Sequence, residues 1–422
     1  MAGIMPKKLQ KCFAKLLEEK WQFLDQPWPM CPKTKKFHRS EMKPIQNSQR
    51  MRDLLMHRLG AITVFFFLTV IWPKFYFPGP YRAVDKGIAF LYYFVAGQTM
   101  DSMSQFMPRT SFHQVYTTFF KTEKALFDKY ITECLSTMFS TPEIRVRSAN
   151  WKNPPLFKHI TLLLDGHDTR ATYGENKVDM FSYKLRKSGL RTQVCIDING
   201  MAILVSKSAS CKNNNDGSML LAMKIGNKIK DVDCIGLDGG YPQHLGAILE
   251  QDDELTLKNF CFPIRKKRLQ PLHMDEANFN SMFGAFRSMV ENTFSELGTA
   301  FNKHNNKDPI RVDSKKEFNM NLRLCLLLLN VKKFTDMLNI QPSPHHLAWK
   351  DEGFDYPTDK KLIPDVTETY TVLNKLEYGH EMLKAQEAFL GMDIAEDDEM
   401  EEVHGNSRTI VECVQIPQRR KK

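Results

Sequence analysis

The sequence lacks paired cysteines. Its nine cysteines stand at positions 12, 31, 134, 195, 211, 234, 261, 325 and 413, with no CxxC pair and no zinc-finger spacing. An odd, scattered set argues against a disulfide framework and reads as reduced thiols in an intracellular protein. Long apolar runs are also missing. The most apolar stretch, AITVFFFLTVIW at 61–72, is 12 residues long, short of the ~20 that span a bilayer, and is expected to be a buried helix rather than a membrane segment. The N-terminus has neither the apolar stretch nor the small-residue cleavage site of a secretory signal.

What is abundant is positive charge, unevenly placed. The net charge is +10 over 422 residues and hydrophobic residues make up 42%, enough for a sizeable core. Residues 1–60 carry 13 Lys and Arg against 5 Asp and Glu, and residues 341–422 carry 10 against 17. Basic surface in the N-terminal part and the middle favours a polyanionic partner.

Texture divides the chain into four expected parts. Residues 1–60, Lys-rich with interleaved aromatics and prolines (WQFLDQPWPMCPKTKKFHR), suggest a loosely structured basic arm. Residues 61–150 read as helical. Val84, Ile88, Leu91, Phe94 and Val95 fit one helix face; Gly97 breaks it, a short helix follows, and Pro108 turns into a further helix over Ser111 to Phe120. That order is a helix-turn-helix pattern, which any three-helix unit would also show. Residues 151–340 change to short strands, HITLLLDG, TQVCIDING, MAILVSKS, DCIGLDGG and NFCFPIRK, with Asn199-Gly200 as a hairpin signal. A long helix from about Asp275 to Phe301 carries Phe279, Phe283, Phe286, Val290, Phe294, Leu297 and Phe301 on one stripe. Together these give an α/β (α+β, mixed-sheet) domain. Residues 341–422 form an acidic, disordered tail with the run EDDEMEE and a terminal RRKK.

Two apolar strands run into an Asp-Gly pair, LLLDG at Asp165 and GLDGG at Asp238. Taken singly, each reads as a strand leaving the sheet through a turn. Taken with Glu291 on the long helix, they offer three carboxylates that one fold could gather, a donor set suited to Mg²⁺ or Mn²⁺. Arg287 and Glu291, four apart, read plainly as an intrahelical ion pair worth a few tenths, about 0.3 kcal/mol. First-strand Asp, fourth-strand Asp and later-helix Glu follow the order of RNase H-like nucleases.

Residues 158–335 resemble the DDE-superfamily endonuclease domain of transposases, nearest to Harbinger-like elements and their domesticated derivatives. LLLDG, the block GLRTQVCIDINGMAILVSKS, LDGGYP and NFNSMFGAFRSMVENTFSEL carry the likeness. It implies an Asp165, Asp238 and Glu291 triad that is catalytic and holds two divalent ions, Mg²⁺ or Mn²⁺, with Arg287 orienting a carboxylate or touching a phosphate. It implies hydrolysis of phosphodiester bonds in double-stranded DNA at transposon ends, strand transfer into target DNA, a nuclear location, a homo-oligomer and a separate DNA-binding partner protein. The alternative is a domesticated, non-catalytic DNA-binding protein that keeps the fold. An enzyme acting on RNA is disfavoured by the upstream helix-turn-helix pattern. The sequence departs from the family in His167, where a small residue is usual, and in CKNNNDGSML, which keeps an acidic Asp216 but has Asn215 in place of His.

Overall fold

A stripe of Leu9, Phe13, Leu16, Leu17, Trp21 and Leu24, spaced by one helical turn, makes an amphipathic helix of the basic N-terminal stretch: α1, Lys7–Leu24, with all six side chains buried. The computed structural model describes residues 5–31, 44–74, 81–121, 124–172, 179–250, 254–266, 270–312 and 314–357. The acidic run at 396–402 and the terminal RRKK lie outside these residues.

The expectation of a loose arm over 1–60 is therefore corrected. α1 and a second helix, α2 (Ser48–Leu59), both bury one face, and Lys7, Lys8, Lys11 and Lys15 lie on the solvent side of α1. The expectation of a tail beginning at 341 is corrected too. Trp349 and Tyr356 are buried; Trp349 donates through Nε1 to the Ala61 carbonyl at 3.2 Å and accepts at its own carbonyl from Arg52 Nε at 2.9 Å. These anchors hold residues 344–357 against the run 61–72, all twelve residues of which are buried, in α3 (Ala61–Phe66) and the π and 3₁₀ turns that continue it to Lys74. Among the described residues, no single helix is long and apolar enough to cross a membrane.

α4 (Ala83–Val95) is buried along its whole length. The chain then breaks at Gly97, whose φ of +71° suits glycine, and passes through a 3₁₀ turn, Ser102–Gln105, into α5 (Arg109–Lys121). Phe112, Val115, Tyr116, Phe119 and Phe120 of α5 face the core. α6 (Lys124–Thr137) and α7 (Pro142–Lys152) complete the helical part. α7 is tied to the sheet by the buried, two-bonded pair Arg145 to Asp233, at 2.8 and 2.6 Å.

The sheet is built on two long strands, β1 (Leu162–Thr172) and β3 (Lys187–Asp197), antiparallel over nine residue pairs. β2 (Phe181–Ser182), β4 (Ala202–Val205) and β5 (Ala209–Ser210) pair antiparallel with β3. β6 (Ile235–Gly236) pairs parallel with β1, β7 (Phe260–Cys261) parallel with β6, and β8 (Ile310–Arg311) parallel with the far end of β1. The central order is thus β4-β3-β1-β6-β7, a mixed sheet.

Helices cover both faces. α8 (Asp216–Met223) and α9 (Leu245–Leu249) close one face over Leu162, Leu164, Cys195, Leu204 and Ile235. α10 (Met274–Ala300) and α11 (Lys315–Met337) close the other over Leu163, Val194, Ile196 and Val205, within a core cluster that runs on into the N-terminal helices. A short α12 (Pro344–Leu347) follows. Asn330 of α11 docks the strand β4 by accepting from the Ala202 amide at 2.8 Å and donating to its carbonyl at 2.7 Å. Asn330→Ala strands both buried backbone groups, and the expected cost is about 1–3 kcal/mol, read as a lowered urea midpoint at unchanged slope.

The apolar segment LLLDG does not end at its Asp-Gly pair. β1 continues to Thr172, with Asp165, Gly166, His167 and Asp168 opposite Val194, Gln193, Thr192 and Arg191. Strand pairing across 23 residues of sequence overrides the local turn preference, and Asp168 is fixed by its partner on β3: Arg191 donates to it at 2.6 and 2.8 Å. Asp168, expected in a loop, is a buried strand residue whose pKa burial would raise but the Arg191 and Ser182 hydrogen bonds bring down.

Candidate active site

Alternation along β1 sends Asp165 and His167 toward α10 and Asp168 toward α8. On the α10 side, Arg287 collects the carboxylates expected from the sequence. Its Nη1 donates to Asp165 Oδ2 at 2.9 Å, and its Nη2 lies 3.4 Å from Glu291 Oε1 and 4.0 Å from Asp238 Oδ2. The plain intrahelical pair with Glu291 is present, but at 3.4 Å it is longer than the contact with Asp165. The main partner of Arg287 is on the strand.

The three carboxylates differ in exposure in a way that shapes the site. Asp165 is the floor, with its side chain 9% exposed; Asp238 and Glu291, at 54% and 56%, form an open rim. Asp165 Oδ1 accepts from the Gly166 amide at 2.8 Å. Asp238 stands two residues beyond the end of β6, where ligands bind in open α/β sheets, and its Oδ1 accepts from the Gly239 amide. Arg265 pins that loop by donating to the Gly239 carbonyl at 2.6 Å. Burial alone would lower the pKa of Arg287, but Asp165, Asp238 and Glu291 outweigh it and hold the guanidinium above its ordinary value. One fixed cation faces three acids, so the cluster retains an excess of negative charge open to solvent.

Across the strand sits a second acidic group that sequence spacing did not reveal in this role. Asp216, at the start of α8, accepts from Gln193 Nε2 at 2.9 Å and lies 3.5 Å from Arg191 Nη1. A Cβ on Gly166 would stand 2.3 Å from Asp216 Oδ1. Gly166 is therefore a glycine of close approach, allowing the acid to lie against β1 directly behind Asp165, and not a turn glycine. Burial raises the pKa of Asp216, Arg191 opposes that, and Asp165 adds to it. Tyr241, of the sequence LDGGYP, is buried beneath this pair and donates to Gln193 Oε1. The β1–β3 register sets Asp168 opposite Arg191 and Gly166 opposite Gln193, and of the group only Asp216 carried a signal in the sequence, as the acidic position of CKNNNDGSML.

Residues 165–330 match the family model of the DDE superfamily endonuclease. That segment is similar to the DDE superfamily endonuclease domain. The match begins at Asp165 itself and ends inside α11, so it contains all three carboxylates and Arg287. No curated protein and no solved structure matches the chain.

A further set of metal-type ligands lies outside the matched segment. Asp25, His345 and His346 are buried, with one ligand atom of each within 4.8 Å of the others. The hydrogen bonds identify it as a clamp. His346 Nδ1 accepts from the Ser343 amide at 3.0 Å, so in the neutral ring the proton is on Nε2, which donates to Asp25 Oδ1 at 2.8 Å. A cation on that Nε2 would need the proton moved to the nitrogen that faces the amide. His345 also bonds Asp25 through Nε2. The clamp joins the end of α1 to α12, which is why the segment after 341 is part of the fold.

Proposed function

We propose that the chain is a metal-dependent DNA endonuclease of the transposase type, with Asp165, Asp238 and Glu291 as its catalytic, metal-holding triad. The observation that carries the reading is the convergence of these acids, from the first long strand, the loop after β6 and α10, on the single guanidinium of Arg287. The sheet supports it. An antiparallel β1, β3 and β4 followed by β6 and β7 parallel to β1 is the order expected of an RNase H-like nuclease.

The donors suit Mg²⁺ or Mn²⁺. They are all carboxylate oxygens, they keep excess negative charge beyond what Arg287 neutralises, and two of the three are open to solvent. Asp165 would be the shared ligand of two divalent ions, with Asp238 and Glu291 each holding one. Bound there, such ions supply an activated water nucleophile and stabilise the leaving 3′ oxygen. The chain itself does the positioning. β1 and β3 hold Asp165 on rigid backbone, Arg265 fixes the loop that presents Asp238, and the solvent-facing rim admits a DNA backbone. Arg287 holds Asp165 by a hydrogen bond and is placed to donate to a phosphate oxygen brought to the rim. By the same resemblance, the freed 3′-OH could attack target DNA.

The helical part upstream is assigned to DNA contact. In α5 the aromatic residues are committed to the core, which leaves Arg109, Thr110, His113 and Gln114 as exposed positions available to read a groove. The action on DNA carries with it a nuclear location, assembly of copies at paired transposon ends and a partner protein that adds sequence recognition.

Calorimetric titration with Mn²⁺ tests the metal assignment. Two ions are expected to bind the full chain, with affinity falling at least about tenfold in Asp165→Asn; equal uptake by both proteins would contradict it.

A further inference from the structure

His167 belongs to a polar pocket that the carboxylate chemistry does not use. This pocket, about 530 Å³, lies beside the C-terminal half of α10 and is lined by Arg58, His167, Phe294, Thr299, His304 and Lys307 among others. It is on the same sheet face as Asp165, since His167 follows two residues later, roughly 7 Å along β1. It is also on the same helix, since Phe294 follows Arg287 by two turns, about 10 Å along α10.

The lining is built for a ligand with hydrogen-bonding edges. His167 and His304 are 8% and 2% exposed. Nε2 of His167, both ring nitrogens of His304 and Nε of Arg58 are buried with no hydrogen-bond partner among the described residues. The His167 ring stacks on Phe294 at 4.4 Å between centroids. Burial holds the His304 imidazole neutral, with its pKa lowered to about 3. A neutral imidazole offers one donor and one acceptor. The amides of Asn302 and Asn305 add more of each, while Arg58 and Lys307 bring positive charge to the same pocket. Flat, with mixed donors and acceptors and a negative charge attached, a nucleotide matches this set. The volume falls in the range of small-molecule sites.

We propose that this pocket receives one unpaired nucleobase of the DNA strand that passes the carboxylates, with its phosphate against Arg58 and Lys307. The proposal rests on the endonuclease reading for where the strand runs. A base taken out of its stack loses stacking energy; the ring pair His167 and Phe294 and the unpartnered nitrogens beside it offset that loss.

The test compares two duplexes of one sequence, one fully paired and one with a single unpaired 2-aminopurine, binding to the full chain in EDTA. The bulged duplex is expected to bind about tenfold tighter, with a change in 2-aminopurine emission. Ser295→Trp, at an exposed position of α10 on the pocket wall, and His167→Phe are expected to cut that preference to below about twofold while leaving paired-duplex binding unchanged. Equal binding of the two duplexes with unchanged emission would overturn the proposal, as would full preference in Ser295→Trp. Because no cleavage is read in EDTA, loss of Mg²⁺-dependent nicking alone would count against the endonuclease reading only. Absence of all DNA binding would overturn both.

Discussion

Asp165→Asn, Asp238→Asn and Glu291→Gln are each expected to lower the rate of Mg²⁺-dependent DNA nicking by at least about 10³-fold, while gel-shift affinity for the same DNA stays within about threefold. The separation follows from geometry. The carboxylates repel a phosphate backbone, so DNA affinity comes from basic surface elsewhere, and each isosteric amide removes a charge that only the metal-assisted step needs. The effects should not be additive, because the three acids hold one site. Asp165 should be the least tolerant. It is the most buried of the three and the direct partner of Arg287, so its loss also frees a guanidinium in the floor of the site. Nicking at near wild-type rate by any of the three proteins would remove that residue from the triad.

Acidification is expected to destabilise the fold well before carboxylates titrate. Buried His167 and His304 accept a proton only near pH 4 and pH 3 in the fold, against about 6.5 in the unfolded chain. Below pH 6.5 the unfolded state therefore binds more protons, and stability must fall as pH falls. With a slope that rises to about 1.4 kcal/mol per pH unit and ring below pH 6.5, the two together lose about 3 kcal/mol between pH 6.5 and 5, a large share of the ~5–15 kcal/mol that holds a typical domain. Burial lowers His345 and His346 as well, so their neutral burial adds to the loss in the same direction. Urea midpoints measured from pH 7.5 to 5 should drop steeply in the wild type and less steeply in His167→Phe and His304→Phe. A flat profile in the wild type would contradict neutral burial of these rings.

Elements with a strong internal period were legible in the sequence. The stripe of α10, the buried run 61–72 and the strand sequence around Asn199-Gly200 all appear where the pattern put them. Asp165, Asp238 and Glu291 each reach Arg287; strand order brings the two aspartates to one edge, and the packing of α10 brings Glu291. Long-range pairing was not legible. Asp-Gly is a turn signal over four residues, but nine cross-strand pairs hold it extended, and Gly166 serves the approach of Asp216 instead. Asp168 meets Arg191 only through strand register, and His167 meets Phe294 only through the packing of α10 on β1. The first helix was concealed by its own lysines, which raise the mean polarity of a segment whose apolar residues still fall every third or fourth place. The docking of Trp349 and the histidine pair after 341 depends on partners about 290 and 320 residues away in sequence, beyond the reach of any local pattern.

If Asp165 belongs to a phosphodiester-cleaving site, plasmid DNA reports it directly. The purified full chain is incubated with supercoiled plasmid and Mg²⁺ beside Asp165→Asn prepared in the same way. Open-circular product is expected from the wild type, none when EDTA replaces Mg²⁺, and none from Asp165→Asn although it still shifts the plasmid. Equal nicking by both proteins, or DNA binding without nicking by the wild type, would contradict it, the second result in favour of a DNA-binding protein that keeps the endonuclease fold.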